Sequence, residues 1–254
     1  MTARMGVVQV ALLAALVAVY YGAVLRVVGE PLARRVLNVV AEKSAWVRTW
    51  SLADADAVSR LVLAGLMQAA FLVALIVIFP VSWGKILPQR VDLVLILLGV
   101  VLGVAEAALG TQLAFLASRV VDAAQRHGQP MSLEAWLTVA RGGWMRYYLR
   151  SAAAAPRPLL IAATGLYVVG EELVFRGVVL GSSLHVLGAG SAAALSVFLF
   201  LLAQVFYTPG WRTALFPLMG ALVVGVTHAY LFIVVPDITP LIVAHETMFL
   251  VTVL

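Results

Sequence analysis

The sequence predicts an all-α fold, a polytopic transmembrane helical bundle of about seven spans plus interfacial helices, and three observations carry that prediction. Of 254 residues, 63% are hydrophobic and 11% charged, with a mean hydropathy of +1.06, more apolar surface than one soluble core can bury. Apolar runs near the length needed to cross a bilayer, about 20 residues, recur along the chain. Lys and Arg gather between those runs.

In chain order the expected spans are Met5 to Leu25, Leu61 to Phe79, Leu93 to Ser118, Pro158 to Leu180, Ser191 to Tyr207, Ala214 to Val235 and Leu241 to Leu254. The last has only 14 residues. The first is long for a removable leader and shows no small-residue cleavage site, so it reads as an anchor. Domain organisation reads as one membrane domain in two parts: amino-terminal transmembrane and interfacial helices over residues 1–157, and a motif-bearing helical core over 158–254.

Both long basic loops read as interfacial helices. Ser132 to Arg150 mixes Trp136, Trp144, Tyr147 and Tyr148 with Glu134, Arg141, Arg146 and Arg150, the pattern of a helix lying at headgroup level. Trp46 and Trp50 precede Ser51-Leu-Ala-Asp54, a capping box opening the second span. Six Lys or Arg lie from Arg26 to Arg60 and six from Arg119 to Arg157, against two between Phe79 and Leu93 and none between Leu180 and Ser191. The positive-inside rule then sets the amino terminus outside and, with seven spans, the carboxyl terminus in the cytoplasm. The expected setting is a bacterial plasma membrane. The net charge of +5 sits in membrane-flanking loops, so membrane lipids rather than nucleic acid are the expected partner. Cysteine is absent, which excludes disulfides, thiolate metal sites and a cysteine nucleophile.

The chemistry is concentrated in Gly170-Glu-Glu-Leu-Val-Phe-Arg176, inside the apolar stretch from Pro158 to Leu180. A charge at membrane depth costs roughly 2.5–3.5 kcal/mol on insertion scales, so three in two turns must pair, face a wet cavity or act in chemistry. On an α-helix Glu172 and Arg176 are four apart and share a face, whereas Glu171 points about 100° away. Arg176 therefore neutralises one carboxylate and leaves the other free to act as a general base toward water. The competing structural reading is an ion pair that locks helix packing.

With these residues in hand, the sequence resembles the CAAX protease and bacteriocin-processing family, which includes the type II CAAX prenyl endopeptidases. That family shows Glu-Glu-x-x-x-Arg on one helix, Phe-x-x-x-His on the next, and His-x-x-x-Asn or Asp on a later one. Glu171, Glu172 and Arg176 match the first element. The second aligns with Phe200-Leu-Leu-Ala-Gln204, where glutamine replaces histidine. The third aligns with His245, led in by Asp237-Ile-Thr-Pro, with Phe249 in place of Asn or Asp. Gly220 and Gly225 of the preceding span also look like the family, small residues letting helices approach.

The resemblance implies an intramembrane endopeptidase acting on a membrane-tethered, lipidated or small secreted peptide substrate. It implies Glu171 as the water-activating base, Glu172 and Arg176 as its orienting pair, and His245 as an oxyanion donor. Gln204 can position a water or an oxyanion but cannot shuttle a proton, and Phe249 offers no polar contact. Losing one oxyanion donor costs about 100- to 1,000-fold in rate, so an inactive relative serving as an immunity, chaperone or assembly factor is the alternative. A transporter with Glu171, Arg176 and Glu106 on an ion path is a third reading, weakened by the absence of repeats.

Other chemistries fit less well. Glu171 and His245 supply two of the roughly three ligands a zinc site needs, so no metal and no cofactor are expected. His245-Glu246-Thr-Met-Phe249 lacks the second histidine of a zinc protease signature. Neither Gly-x-Ser-Gly nor Gly-x-Gly-Asp occurs. Glu106 reads as an interhelical hydrogen-bonding group or a cavity wall, and His228 and His185 read as packing or interfacial histidines. Tyr207, one turn from Gln204, offers a hydroxyl that partly replaces the missing histidine.

Overall fold

The computed structural model describes residues 5–43, 49–79, 87, 92–124, 132–143, 145–208 and 210–253. Trp46, Trp144 and much of the loop between Phe79 and Leu93 lie outside the described residues. All regular structure among the described residues is helical, as the composition requires. In lipid a backbone must satisfy its own hydrogen bonds, and a helix does so within one segment.

Helix α1 (Val7–Val19) continues through a π-helical stretch, Tyr20–Gly29, into α2 (Glu30–Lys43). Then follow α3 (Leu52–Ile78), α4 (Leu93–Ala124), α5 (Leu133–Ala140) and α6 (Met145–Ala154). The motif-bearing rod is α7 (Arg157–Glu172), a π-helical stretch Leu173–Leu180, and α8 (Gly181–Leu187). The chain closes with α9 (Ala189–Tyr207), α10 (Trp211–Val234) and α11 (Thr239–Val253).

Six helical segments among the described residues are long and apolar enough to cross a membrane: Val7–Val39, Leu52–Ile78, Leu93–Ala124, Arg157–Leu187, Ala189–Tyr207 and Trp211–Val234. This is an integral membrane protein. The expected seventh span is α11, whose 15 residues rise only about 22 Å at 1.5 Å each, short of the roughly 30 Å hydrocarbon core. Asp237 starts it, Oδ1 accepting from the Thr239 N–H at 2.8 Å. The rod bearing the acidic motif is the most interior of the six, with 56% of its apolar window buried in the protein.

The helix ends follow local chemistry. Ser51 caps α3, its hydroxyl accepting from the Asp54 N–H at 3.2 Å. The Asp54 carboxylate also receives Arg150 Nε at 2.6 Å, which ties α6 to the head of α3. The single interfacial helix expected from Ser132 to Arg150 is instead two, α5 and α6, broken at Arg141–Gly143. Gly143 there has φ +58°, and a Cβ would meet Thr208 Cγ2 at 2.7 Å, so the break needs glycine.

Close packing of α11 on α4 positions the site. A Cβ on Gly99 would lie 2.7 Å from the Pro240 carbonyl oxygen, and one on Gly103 would strike the Ala244 carbonyl oxygen. Two turns further a Cβ on Gly110 would meet Gly220 Cα at 3.0 Å, so small residues do let α4 approach α10. The stripe Gly99, Gly103, Gly110 thus brings the face of α4 that carries Glu106 against both α10 and α11.

Candidate active site

The charged and imidazole groups of the site are buried, in the rod or on helices packed against it. Glu171, Glu172 and Arg176 are at most 1% exposed, His228 is fully buried and His245 is 2% exposed. Such groups persist at that depth only when partnered. The partners are found on four different helices.

Glu172 is the hub. Its Oε1 accepts from Arg176 Nη1 at 3.3 Å and lies 2.7 Å from His245 Nδ1 on α11. A carboxylate only accepts, so Nδ1 is the donor. Its Oε2 lies 3.1 Å from His228 Nδ1 on α10. Arg176 is held further by the Val224 carbonyl oxygen, which accepts from Nη2 at 3.2 Å. Its guanidinium carbon sits 4.5 Å from the centroid of the Phe200 ring, a cation–π contact from α9. The expected Glu172–Arg176 pair is therefore present, and Phe200 braces it.

Glu171 stands apart from that pair, as the helical spacing predicts. Its Oε1 accepts from the Tyr167 hydroxyl at 2.7 Å, and its Oε2 is 3.9 Å from His245 Nε2. The imidazole of His245 thus stands between the two acids, Nδ1 toward Glu172 and Nε2 toward Glu171. Glu171, His245, Gln204, Tyr167, Phe200 and Phe249 line one cavity of about 60 Å³, roomy enough for a water. Phe249, where the motif would place Asn or Asp, packs its ring 5.3 Å from that of His245 and 5.0 Å from that of Tyr148. It closes the cavity wall with carbon.

A second cavity of about 330 Å³ opens beside the first, between α2, α3 and α6, and shares Tyr148, Tyr167 and Phe249 with it. Arg26, Arg60 and Arg146 line its basic part. Two aromatic hydroxyl side chains and one phenyl ring are therefore the partition between a broad basic vestibule and the small acidic chamber.

Several readings of the sequence need correction. His228, expected to be a packing or interfacial histidine, bridges two acids: Nε2 lies 3.2 Å from Glu106 Oε1 while Nδ1 faces Glu172. Glu106 is the ionic partner of that imidazole and also lines the small cavity, in keeping with its reading as a cavity wall. Tyr207 lines the larger cavity and not the small one; the hydroxyl at the acid is that of Tyr167. The signal was present, since Tyr167 precedes Glu171 by one helical turn. His185 behaves as expected, with Nε2 3.2 Å from the Met5 carbonyl oxygen. The rod itself departs from α geometry over Leu173–Leu180, all buried, and π-helical turns of this kind recur at functional sites.

Among the described residues no group of three or more His, Asp or Glu side chains is arranged to hold a metal ion.

The site is thus a buried acid pair with an arginine lock and an imidazole between the acids, inside a membrane-embedded helical bundle. Residues 153–250 match the family model described as type II CAAX prenyl endopeptidase Rce1-like. Over that stretch the chain is similar to the CAAX protease family, in line with the Glu-Glu-x-x-x-Arg resemblance. No curated protein and no solved structure matches the chain.

Proposed function

We propose that the protein is an intramembrane endopeptidase in which Glu171 activates a water against a peptide bond. The observation that carries this reading is the shared cavity: a carboxylate not engaged by Arg176, an imidazole edge and Gln204 line one space roomy enough for a water. The substrate class is a peptide or membrane-tethered protein, delivered from the vestibule across the Tyr148–Tyr167–Phe249 partition.

The step balances as follows. Glu171 takes a proton from the water as the oxygen bonds to the scissile carbonyl carbon, and the carbonyl π pair moves onto oxygen. His245, fixed by its Nδ1 donation to Glu172, donates from a protonated Nε2 to that oxyanion, and the Gln204 amide donates a second hydrogen bond. Collapse breaks the C–N bond, and the leaving nitrogen receives the proton held by Glu171. The Tyr167 hydroxyl, donating to Oε1, leaves Oε2 as the oxygen that takes the proton.

A second reading has support in Phe249 and Gln204. A phenyl ring against His245 fits a relative that keeps the chamber but binds rather than cuts. The two are separated by offering the purified protein, in lipid nanodiscs, a quenched-fluorescent peptide with a prenylated CAAX end in water enriched in ¹⁸O. A single cut with one ¹⁸O in the new carboxylate supports hydrolysis; binding without cleavage supports the inactive relative.

On the amino-terminal side, positive charge concentrated in Arg26–Arg60 and Arg119–Arg157 supports placing those loops in the cytoplasm. The vestibule, lined from both loops, would then open toward the cytoplasmic leaflet.

A further inference from the structure

Glu106 and His228 have no place in the mechanism above, yet they are among the most deeply buried polar groups in the molecule, 2% and 0% exposed. Glu106 lies in α4, outside the segment 153–250 that matches the family model. His228 lies in α10, and none of the three motif elements places a residue there. We propose that Glu106 and His228 form a positioning dyad that holds Glu172, and through it His245, in the orientation the reaction needs. This deepens the reading of the site as a protease and rests on it.

The argument starts from the ring. Both imidazole nitrogens of His228 face carboxylate oxygens, Glu106 Oε1 at 3.2 Å and Glu172 Oε2 at 3.1 Å. A neutral imidazole donates from one nitrogen only, and its other lone pair would repel a carboxylate. Two protons across these two ion-pair contacts remove that repulsion, either both on the ring or one on the ring and one on Glu106 or Glu172. In each case one proton beyond a neutral ring and two carboxylates is stored in the chain Glu106–His228–Glu172.

Charge accounting for the whole cluster agrees. The charged or titratable groups facing one another are Glu106 from α4, Glu171, Glu172 and Arg176 from the rod, His228 from α10 and His245 from α11. Arg176 offsets one carboxylate and the stored proton offsets a second. Glu171 remains the only acid of the three whose compensation falls to His245. Without the dyad, Glu172 Oε2 loses its one ionic contact among the described residues, and the carboxylate, held then only through Oε1 by Arg176, gains freedom to turn away from His245 Nδ1. Phe200 and Phe249 pack on the His245 ring but supply no directional contact to it. Glu172 Oε1 is its one hydrogen-bond anchor among the described residues.

The glycine stripe explains why the dyad can form. Glu106 falls between Gly103 and Gly110, where α4 meets the α11 backbone and Gly220 Cα, and a carboxylate there reaches α10 across a short gap.

The test is kinetic and spectroscopic, in nanodiscs with the prenylated CAAX peptide as probe. His228→Gln and Glu106→Gln are each expected to lower kcat by roughly 10- to 100-fold, the usual cost of an orienting partner, and KM is expected to stay within about twofold in His228→Gln, because His228 does not line the cavity whereas Glu106 does. Because both act through Glu172, the double variant is expected to be no slower than His228→Gln alone. Additive losses, or a change confined to KM or melting temperature, would overturn the proposal. The second readout needs no cleavage. In ¹⁵N-histidine-labelled protein both variants are expected to move the ring-nitrogen signals of His245, identified by their absence in His245→Gln, and unmoved signals would overturn the dyad. A wild-type protein that leaves the peptide intact while its dyad variants still move His245 overturns the protease reading and keeps the positioning role.

Discussion

Glu172 Oε1 and His245 Nδ1 lie 2.7 Å apart although 73 residues separate them in the chain. This contact joins the acidic motif rod to the carboxyl-terminal helix and orients the one imidazole that stands between both acids. The rest of the site is arranged to keep it. Arg176 and His228 occupy the remaining reach of Glu172, and the Gly99–Gly103 face of α4 seats α11 at the required distance.

Removing Arg176 should therefore cost stability before it costs chemistry. Arg176→Met removes the guanidinium from a fully buried cluster and leaves it one positive charge short, and breaking a buried pair from one side typically costs about 3–5 kcal/mol. Thermal unfolding in detergent is expected to shift well below the wild-type midpoint. A midpoint unchanged within error would mean the pair is not what holds the rod.

Seating of α11 makes a sharper structural prediction. Gly103→Val places a branched side chain where the Ala244 backbone lies, and overpacking of this kind costs about 1–3 kcal/mol. It should also lower cleavage, because His245 follows Ala244. Gly165→Ala is the control: a Cβ there meets nothing within 4 Å, so melting and cleavage should match wild type. Equal behaviour of the two variants would remove the stripe from the account.

Gln204→His tests the departure from the family's second motif. A histidine at this cavity position supplies a proton carrier where the amide supplies only fixed hydrogen bonds. General acid–base assistance is typically worth 10²–10⁴-fold, and a rise in kcat of at least tenfold on the prenylated CAAX peptide is expected. A fall would show that the chamber is tuned to the amide.

Much of this was legible in the sequence because its cause is local. The spacing of Glu171, Glu172 and Arg176 on one helix fixed which acid pairs and which does not, and Ser51 with Asp54 fixed the start of α3. What escaped was set by contacts between helices. His228 looked like a lone histidine on an apolar face, and nothing in its neighbourhood announces that α4 approaches closely enough for Glu106 to reach it. The same holds for α11. Its apolar letters count as most of a span, but its length and its packing on α4 decide its role. Gly142-Gly143 carried the break between α5 and α6 in plain sight, hidden by the aromatic and basic pattern on either side.

The measurement that bears most directly on the central claim compares wild type with Glu171→Gln on the prenylated CAAX peptide, in nanodiscs and at matched folded fraction. The amide keeps the size and the Tyr167 contact but cannot take a proton from water. Cleavage is expected to fall by at least 10²-fold, the lower end of what general acid–base catalysis contributes, while peptide binding and melting temperature stay at wild-type values. Cleavage by Glu171→Gln at the wild-type rate would contradict the assignment of Glu171 as the base.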